Sequence, residues 1–300
     1  MCRLVICALL ALLAFAAPAA AQDKIKVVAS FSILADLVRN VGGDRIEVTA
    51  LVGRNGDSHA FEPSPADSRR LADARLVIVN GLGFEGWLDR LVRAASSKVP
   101  VVVASRGVRP RAGEDDETRL YTYRAGVDPH AWQSIANVKR YVANIRDALI
   151  KVDPAGQGAY AADAGAYLAK LDALDQEVRS TLAGIPADRR RVITSHDAFG
   201  YFADAYAIEF LAPEGLSTNA EPSARAVARI IRRIEAERIG ALFLENVVDP
   251  RLLEQIARET GSRIGGTLYS DALTGPNGPA PTYLELMRHN ARELAAALGG

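Results

Sequence analysis

The sequence predicts an α/β protein of two lobes, each a mostly parallel four-stranded sheet flanked by helices, joined by one long rigid helix. Three observations predict it. Short apolar, β-branched runs recur along the chain, stretches of helical period separate them, and one long helical stretch stands between two sets of four runs. Near-continuous apolar strands alternating with amphipathic helices argue for parallel sheets covered on both faces.

In the first half the apolar runs are residues 25–30, 46–52, 76–80 and 99–104. Residues 109–127, with Glu114-Asp115-Asp116-Glu117, are polar and read as an exposed, solvated loop. Asp153-Pro154 then offers a cap and first-turn pair for a helix over 155–182. Tyr160, Ala164, Tyr167, Leu171, Leu174 and Val178 fall at three- and four-residue steps and make one apolar stripe. At about 1.5 Å per residue this helix is roughly 40 Å long, enough to brace both lobes. Gly156, Gly158 and Gly165 weaken its first turns. The second set of runs is 191–195, 207–211, 240–245 and 263–269. Gly275-Pro276-Asn277-Gly278-Pro279 is a loop, and 283–298 closes the chain as a helix. The expected divisions are an N-terminal lobe over 22–153, the linking helix over 154–184 and a C-terminal lobe over 185–300.

The first 21 residues read as a cleavable secretory signal. Arg3 precedes an apolar run over 4–17, and Pro18 and the small residues Ala19, Ala20 and Ala21 follow. The run is about 14 residues, where a membrane span needs about 20, so no membrane anchor is expected. Cys7 follows Ile6, where a lipid-attachment site would want a small residue. Both cysteines, Cys2 and Cys7, lie in this segment, so the exported chain has no thiol, and any metal site in it must use His, Asp or Glu. Loss of Arg3 leaves 35 basic against 36 acidic residues, a balance that speaks against nucleic-acid or membrane-surface partners.

The chain has four histidines. His59 lies just past a strand, His130 between the polar loop and a helix, and His196 directly after the strand ending at Ser195. Such positions, beyond the carboxyl ends of strands, form the binding crevice of open α/β sheets. His289, beside Arg288 in the last helix, reads as a solvated surface residue. Neutral imidazole is a common metal ligand, and Asp271, after the last strand, is the best carboxylate to complete a tetrahedral shell. Glu62 and Glu245 are outside candidates for that role, Glu245 reading rather as support for the crevice from its strand end. Spacing alone is a weak signal, since no compact H-x-H or H-E-x-x-H pattern is present.

The residues around the histidines carry more. Asp57-Ser58-His59-Ala60-Phe61-Glu62-Pro63-Ser64-Pro65 resembles the first-ligand motif of the metal-ion ABC-transporter solute-binding proteins, the zinc and manganese receptors. Asp128-Pro129-His130-Ala131-Trp132, Ser195-His196-Asp197-Ala198-Phe199-Gly200-Tyr201-Phe202 and Tyr269-Ser270-Asp271-Ala272-Leu273 resemble the second, third and fourth motifs, in family order. The resemblance runs from about residue 25 to 298. It implies a metal ion buried between the lobes, with His59 and His130 from the first lobe and His196 and Asp271 from the second. It also implies a periplasmic monomer that passes its ion to a membrane permease with a cytoplasmic ATPase. Phe61, Trp132, Phe199 and Tyr201 then line the site or pack the lobe interface, and Asp128 and Asp197 flank ligands, Asp128 as a turn cap.

A three-His, one-Asp shell favours zinc (Zn2+) over manganese, because manganese receptors commonly carry a carboxylate at the third position, where this chain has His196. The His-rich loop of many zinc receptors has no counterpart here: residues 113–126 have acids and no histidine. Manganese (Mn2+) remains the alternative cargo. Two other readings stay open: a secreted zinc hydrolase with water in place of Asp271, and a two-lobed receptor for a small organic ligand or chelate.

Overall fold

The structure, a computed structural model, describes residues 23–96, 98–112 and 126–299. Residues 1–21, read as a secretory signal, and the acidic run 114–117 lie outside the described residues.

The first lobe is built on strands β1 (Ile25–Phe31), β2 (Ile46–Val52), β3 (Leu76–Val79) and β4 (Val101–Val103), in the order β2-β1-β3-β4. Every pairing in this sheet is parallel. Helices α1 (Ser32–Gly42), α2 (Pro65–Asp73) and α3 (Leu88–Ala95) connect these strands. A two-residue antiparallel pair follows, β5 (Arg111–Ala112) with β6 (Val127–Asp128), and then helix α4 (Ile135–Val152). Helix α5 (Gln157–Ala183) leads to the second sheet, made of β7 (Arg191–Ile193), β8 (Glu209–Leu211), β9 (Ala241–Glu245) and β10 (Arg263–Leu268). Helices α6 (Gly200–Tyr206), α7 (Ala224–Glu237) and α8 (Arg251–Thr260) join its strands, and α9 (Tyr283–Leu298) ends the chain.

The second sheet runs β10-β9-β7-β8, again all parallel. Counted within its own lobe this is the order of the first sheet. Each lobe therefore reverses its winding between its first and third strands, and in such sheets the ligand crevice opens at that reversal. In the second lobe the reversal falls between β7, which leads to His196, and β9, which ends on Glu245.

The linking helix spans 27 residues and buries Tyr160, Ala164, Tyr167, Leu171, Leu174, Val178 and Leu182, the stripe read from the sequence with one residue added. It packs against α1, α4 and α9. One apolar core is continuous from the first sheet through this stripe to Phe199, Phe243, Leu268 and the buried face of α9. A smaller core, with Ile193, Leu211, Ile230, Ile234, Leu242 and Ile256, lies separately between the second sheet and α7 and α8. Among the described residues no helix is long and apolar enough to cross a membrane.

Several expectations need correction. The long helix opens with a 3-10 turn over Pro154–Gly156, not an α-turn. A Cβ at Gly156 would lie 2.5 Å from Arg45, Asp153 and Tyr160, so glycine permits this close approach. Asp153 makes no side-chain cap: its carboxylate instead takes Arg45 Nη2 at 2.7 Å and the Tyr160 hydroxyl at 2.8 Å. The run 207–211 loses its first two residues because Ala207, left-handed at φ 56°, closes α6. The loop read over 109–127 is pinned at both ends by the β5–β6 pair. His289 is half-buried, with Nε2 2.9 Å from the Thr267 carbonyl and its ring against Tyr269, rather than solvated.

Candidate metal centre

His59, His130, His196 and Asp271 converge: one donor atom from each lies within 4.8 Å of all the others. His59 Nε2 is 3.3 Å from His130 Nε2 and 3.3 Å from Asp271 Oδ2. His196 Nε2 is also 3.3 Å from Asp271 Oδ2, and His130 Nε2 is 3.7 Å from Oδ1. The side chains of His130, His196 and Asp271 are fully buried, and that of His59 keeps 5% of its surface. Three imidazoles and a carboxylate thus turn their lone pairs into one dry point. Burying such groups together is costly without a cation or proton among them.

Each ligand loop is held by its own polar contacts. Beyond β2, Asp57 Oδ1 accepts the backbone N–H groups of His59 (2.8 Å) and Ala60 (3.3 Å), and Trp87 Nε1 donates to the Ser58 carbonyl at 3.0 Å. Beyond β6, Asp128 Oδ1 accepts the His130 backbone N–H and lies 2.9 Å from its Nδ1. Asp128 thus closes the turn, as expected, and also orients the ring, which leaves Nε2 facing the centre. Asn80 Nδ2 secures the same loop through the Pro129 carbonyl at 2.9 Å.

Beyond β7, Glu245 repeats the arrangement. Its Oε1 accepts the N–H groups of Ser195 (2.8 Å) and His196 (2.9 Å), while Oε2 sits 2.8 Å from His196 Nδ1. Carboxylates behind ligating histidines fix ring orientation and raise ligand basicity.

The Asp271 loop follows β10, yet its bonds reach into the first lobe. Trp132 Nε1 and Gln133 Nε2 both donate to the Ser270 carbonyl at 2.8 Å. Leu273 N–H donates to Ser32 Oγ at 3.0 Å, Asn55 N–H donates to the Leu273 carbonyl at 2.9 Å, and Arg54 donates to the Thr274 carbonyl. Across the mouth of the site, Thr218 Oγ1 donates to Asp57 Oδ2 at 2.6 Å.

The charges of the centre are shifted accordingly. Burial opposes ionisation of Asp271, but the His130 and His196 rings outweigh it and hold the carboxyl well below its usual range. Burial also opposes a charged His196, and Glu245 and Asp271 outweigh it, raising that ring well above the ordinary imidazole value. At His59 burial wins over Asp271 and lowers the ring. Burial, with Glu245, Asp57 and Glu221 nearby, pushes Glu214 up to about 7.

Of the other candidates, Glu62 is exposed and stands outside the group, whereas Glu245 backs it. Trp132 packs 5.3 Å from the His130 ring, and Phe61 lies against Trp87. Phe199 stacks on Phe210, and the Tyr201 hydroxyl accepts the Arg111 N–H at 2.9 Å. Sequence reading missed Phe84, whose ring lies 4.9 Å from His59 and 4.8 Å from Trp132. Its signal was Gly81-Leu82-Gly83 just past β3: all three residues have positive φ and turn Phe84 back over the crevice. A separate cleft of about 710 Å³ lies elsewhere, lined by Arg109, Arg111, Ser134, Arg179, Tyr201 and Asp204 among others.

Two α/β lobes on a rigid helix, with a closed cation-seeking cluster between them, define a solute-binding receptor for a metal ion. The family model of the zinc-uptake complex component A, periplasmic, matches residues 27–297. The manganese-binding lipoprotein MntA of Halalkalibacterium halodurans is 33% identical over 276 residues, covering 92% of this chain and 89% of the relative. The iron-binding protein YfeA of Yersinia pestis is 32% identical, covering 94% and 89%. The periplasmic zinc binding protein TroA of Treponema pallidum has a similar structure: its TM-score is 0.84 at 29% identity, over 93% of this chain and 100% of that one. The chain belongs to the metal-ion ABC-transporter solute-binding protein family.

Proposed function

We propose that this protein is a periplasmic zinc receptor: it captures one ion on His59, His130, His196 and Asp271 and delivers it to a membrane permease driven by a cytoplasmic ATPase. The observation that carries the choice of ion is the donor set, three imidazoles and one carboxylate gathered within 4.8 Å of one another. Three separations are 3.3 Å and His130 Nε2–Asp271 Oδ1 is 3.7 Å, against edges of roughly 3.3–3.4 Å for a tetrahedron with zinc–ligand bonds of about 2.0–2.1 Å, so small inward shifts would close the group on an ion of that size. Three imidazoles to one carboxylate also favour zinc over manganese. Four protein donors close the shell and leave no position for an activated water, which supports a receptor rather than a hydrolase. The names of the relatives span manganese, iron and zinc, so manganese is the rival cargo.

Calorimetric titration of chelator-stripped protein tests the reading. One zinc per chain is expected, bound roughly tenfold or more tighter than manganese, in keeping with the order of divalent affinities. Manganese binding as tight as zinc would change the cargo. No metal binding would reopen the organic-ligand reading.

A further inference from the structure

Asp128 is fully buried and has one oxygen in use and one not. Its Oδ1 takes both the backbone N–H and the ring Nδ1 of His130. Among the described residues its Oδ2 makes no hydrogen bond, and the group facing it is the Arg111 guanidinium, with Nη1 at 3.7 Å. Arg111 and Asp128 are cross-strand partners in the β5–β6 pair, so the backbone register sets them side by side. The guanidinium is held from the second lobe as well: its Nε donates to Asp204 Oδ2 at 3.1 Å, and the Arg111 backbone N–H donates to the Tyr201 hydroxyl at 2.9 Å. Gly200, four residues after His196, leaves the space. A Cβ there would stand 2.3 Å from Arg111 Nη1 and 2.6 Å from Asp128 Oδ2.

We propose that Arg111 is a positioning residue for the metal centre: it aims the Asp128 carboxylate so that His130 is held as its Nδ1–H tautomer, with the Nε2 lone pair kept for the ion. A carboxylate can only accept, so an Oδ1 fixed 2.9 Å from Nδ1 selects the ring form that carries its proton there. Without Arg111, Oδ2 is a buried oxygen facing no cation among the described residues. The carboxylate is then free to rotate toward the nearby N–H groups or water, and the hold on the ring loosens. The proposal rests on His130 being a ligand, and the test separates the two.

The experiment records nitrogen-15 histidine spectra and zinc affinity for the wild type and for Arg111→Ala, Arg111→Lys, Gly200→Ala and Arg179→Ala. The metal-free wild type should show His130 as a single Nδ1–H tautomer, with Nε2 shifting on zinc addition. Arg111→Ala should give a mixture of tautomers and zinc affinity about tenfold lower, the lower end of what outer-shell partners of metal ligands contribute. Arg111→Lys should recover part of both. Gly200→Ala, whose Cβ crowds the guanidinium and Asp128 Oδ2 together, should move both in the direction of Arg111→Ala and reports on the Arg111–Asp128 pair as a unit if Arg111→Ala does not fold. Arg179→Ala removes another arginine from the same seam and should leave the tautomer unchanged. A pure Nδ1–H tautomer with undiminished affinity in Arg111→Ala and Gly200→Ala overturns the proposal. An Nε2 resonance that ignores zinc in the wild type overturns instead the assignment of His130 as a ligand.

Discussion

Replacing Asp271 with asparagine is expected to destroy tight zinc capture while the protein stays folded. The two side chains have nearly the same shape, so the buried loop and its bonds through Ser270 and Leu273 should survive. The chemistry does not survive. Asp271 is the single anion among the four donors, and its Oδ2 is the atom shared by His59 and His196 at 3.3 Å. An amide has no negative charge to offer and turns an N–H group toward the centre in one of its two orientations. Closed zinc sites bind with roughly 10–16 kcal/mol, so one ligand of four is worth about 2.5–4 kcal/mol, roughly seventy- to a thousandfold in affinity. Competition with a chelator would measure it. A variant binding zinc within a few-fold of the wild type would remove Asp271 from the shell.

Acid is expected to weaken binding in two stages. Zinc needs neutral imidazoles, so each proton held by the metal-free site must leave before the ion binds. His196, raised above the usual value by Glu245 and Asp271, takes up its proton first as pH falls, already above about 6.5. His59, lowered by burial, takes its proton only below that value. Affinity should therefore drop by up to about tenfold per pH unit while one proton must leave, and more steeply in stronger acid. Asp271, held well below the usual carboxyl range, does not add to the loss in this window. Calorimetry in buffers of different ionisation enthalpy should also find protons released on zinc binding, in greater number as pH falls. Affinity that is flat between pH 5.5 and 7.5, with no proton released, would contradict a His-dominated site.

Much of this centre was legible before any coordinates. The strands are short and apolar because both faces are covered, and the helix stripe from Tyr160 to Val178 repeats at the helical period, so both could be read locally. The four converging donors could be read because each stands where a strand or turn ends, inside a motif. What remained hidden depends on partners far apart in the chain. Glu245 could be read as support for the crevice from its strand end, but its pairing with His196, 49 residues away, could not, because no local pattern says that the end of β9 lies behind the turn after β7. The cross-lobe bonds of Trp132 and Gln133 to Ser270 span 138 and 137 residues. Asp153 was misread for the opposite reason: its local fit as a cap was plausible, but Arg45, 108 residues away, offered a stronger, charged partner.

The attachment of the Asp271 loop has a mechanical consequence. By chain order the loop belongs to the second lobe, but most of its carbonyl and amide bonds go to Trp132, Gln133, Ser32, Asn55 and Arg54 in the first, against one from Asn246 just past β9 to the Ala272 carbonyl at 3.3 Å. His196 is fastened instead to Glu245 on β9. If the second sheet tilts away from the linking helix, the parting line runs between His196 and the other three donors. A metal-free crystal form in which Asp271 travels with the second sheet would contradict this division. On the proposed ligand set the grip would be three fingers and a thumb: unloading would begin with one bond, and the face it vacates is where an acceptor would take hold.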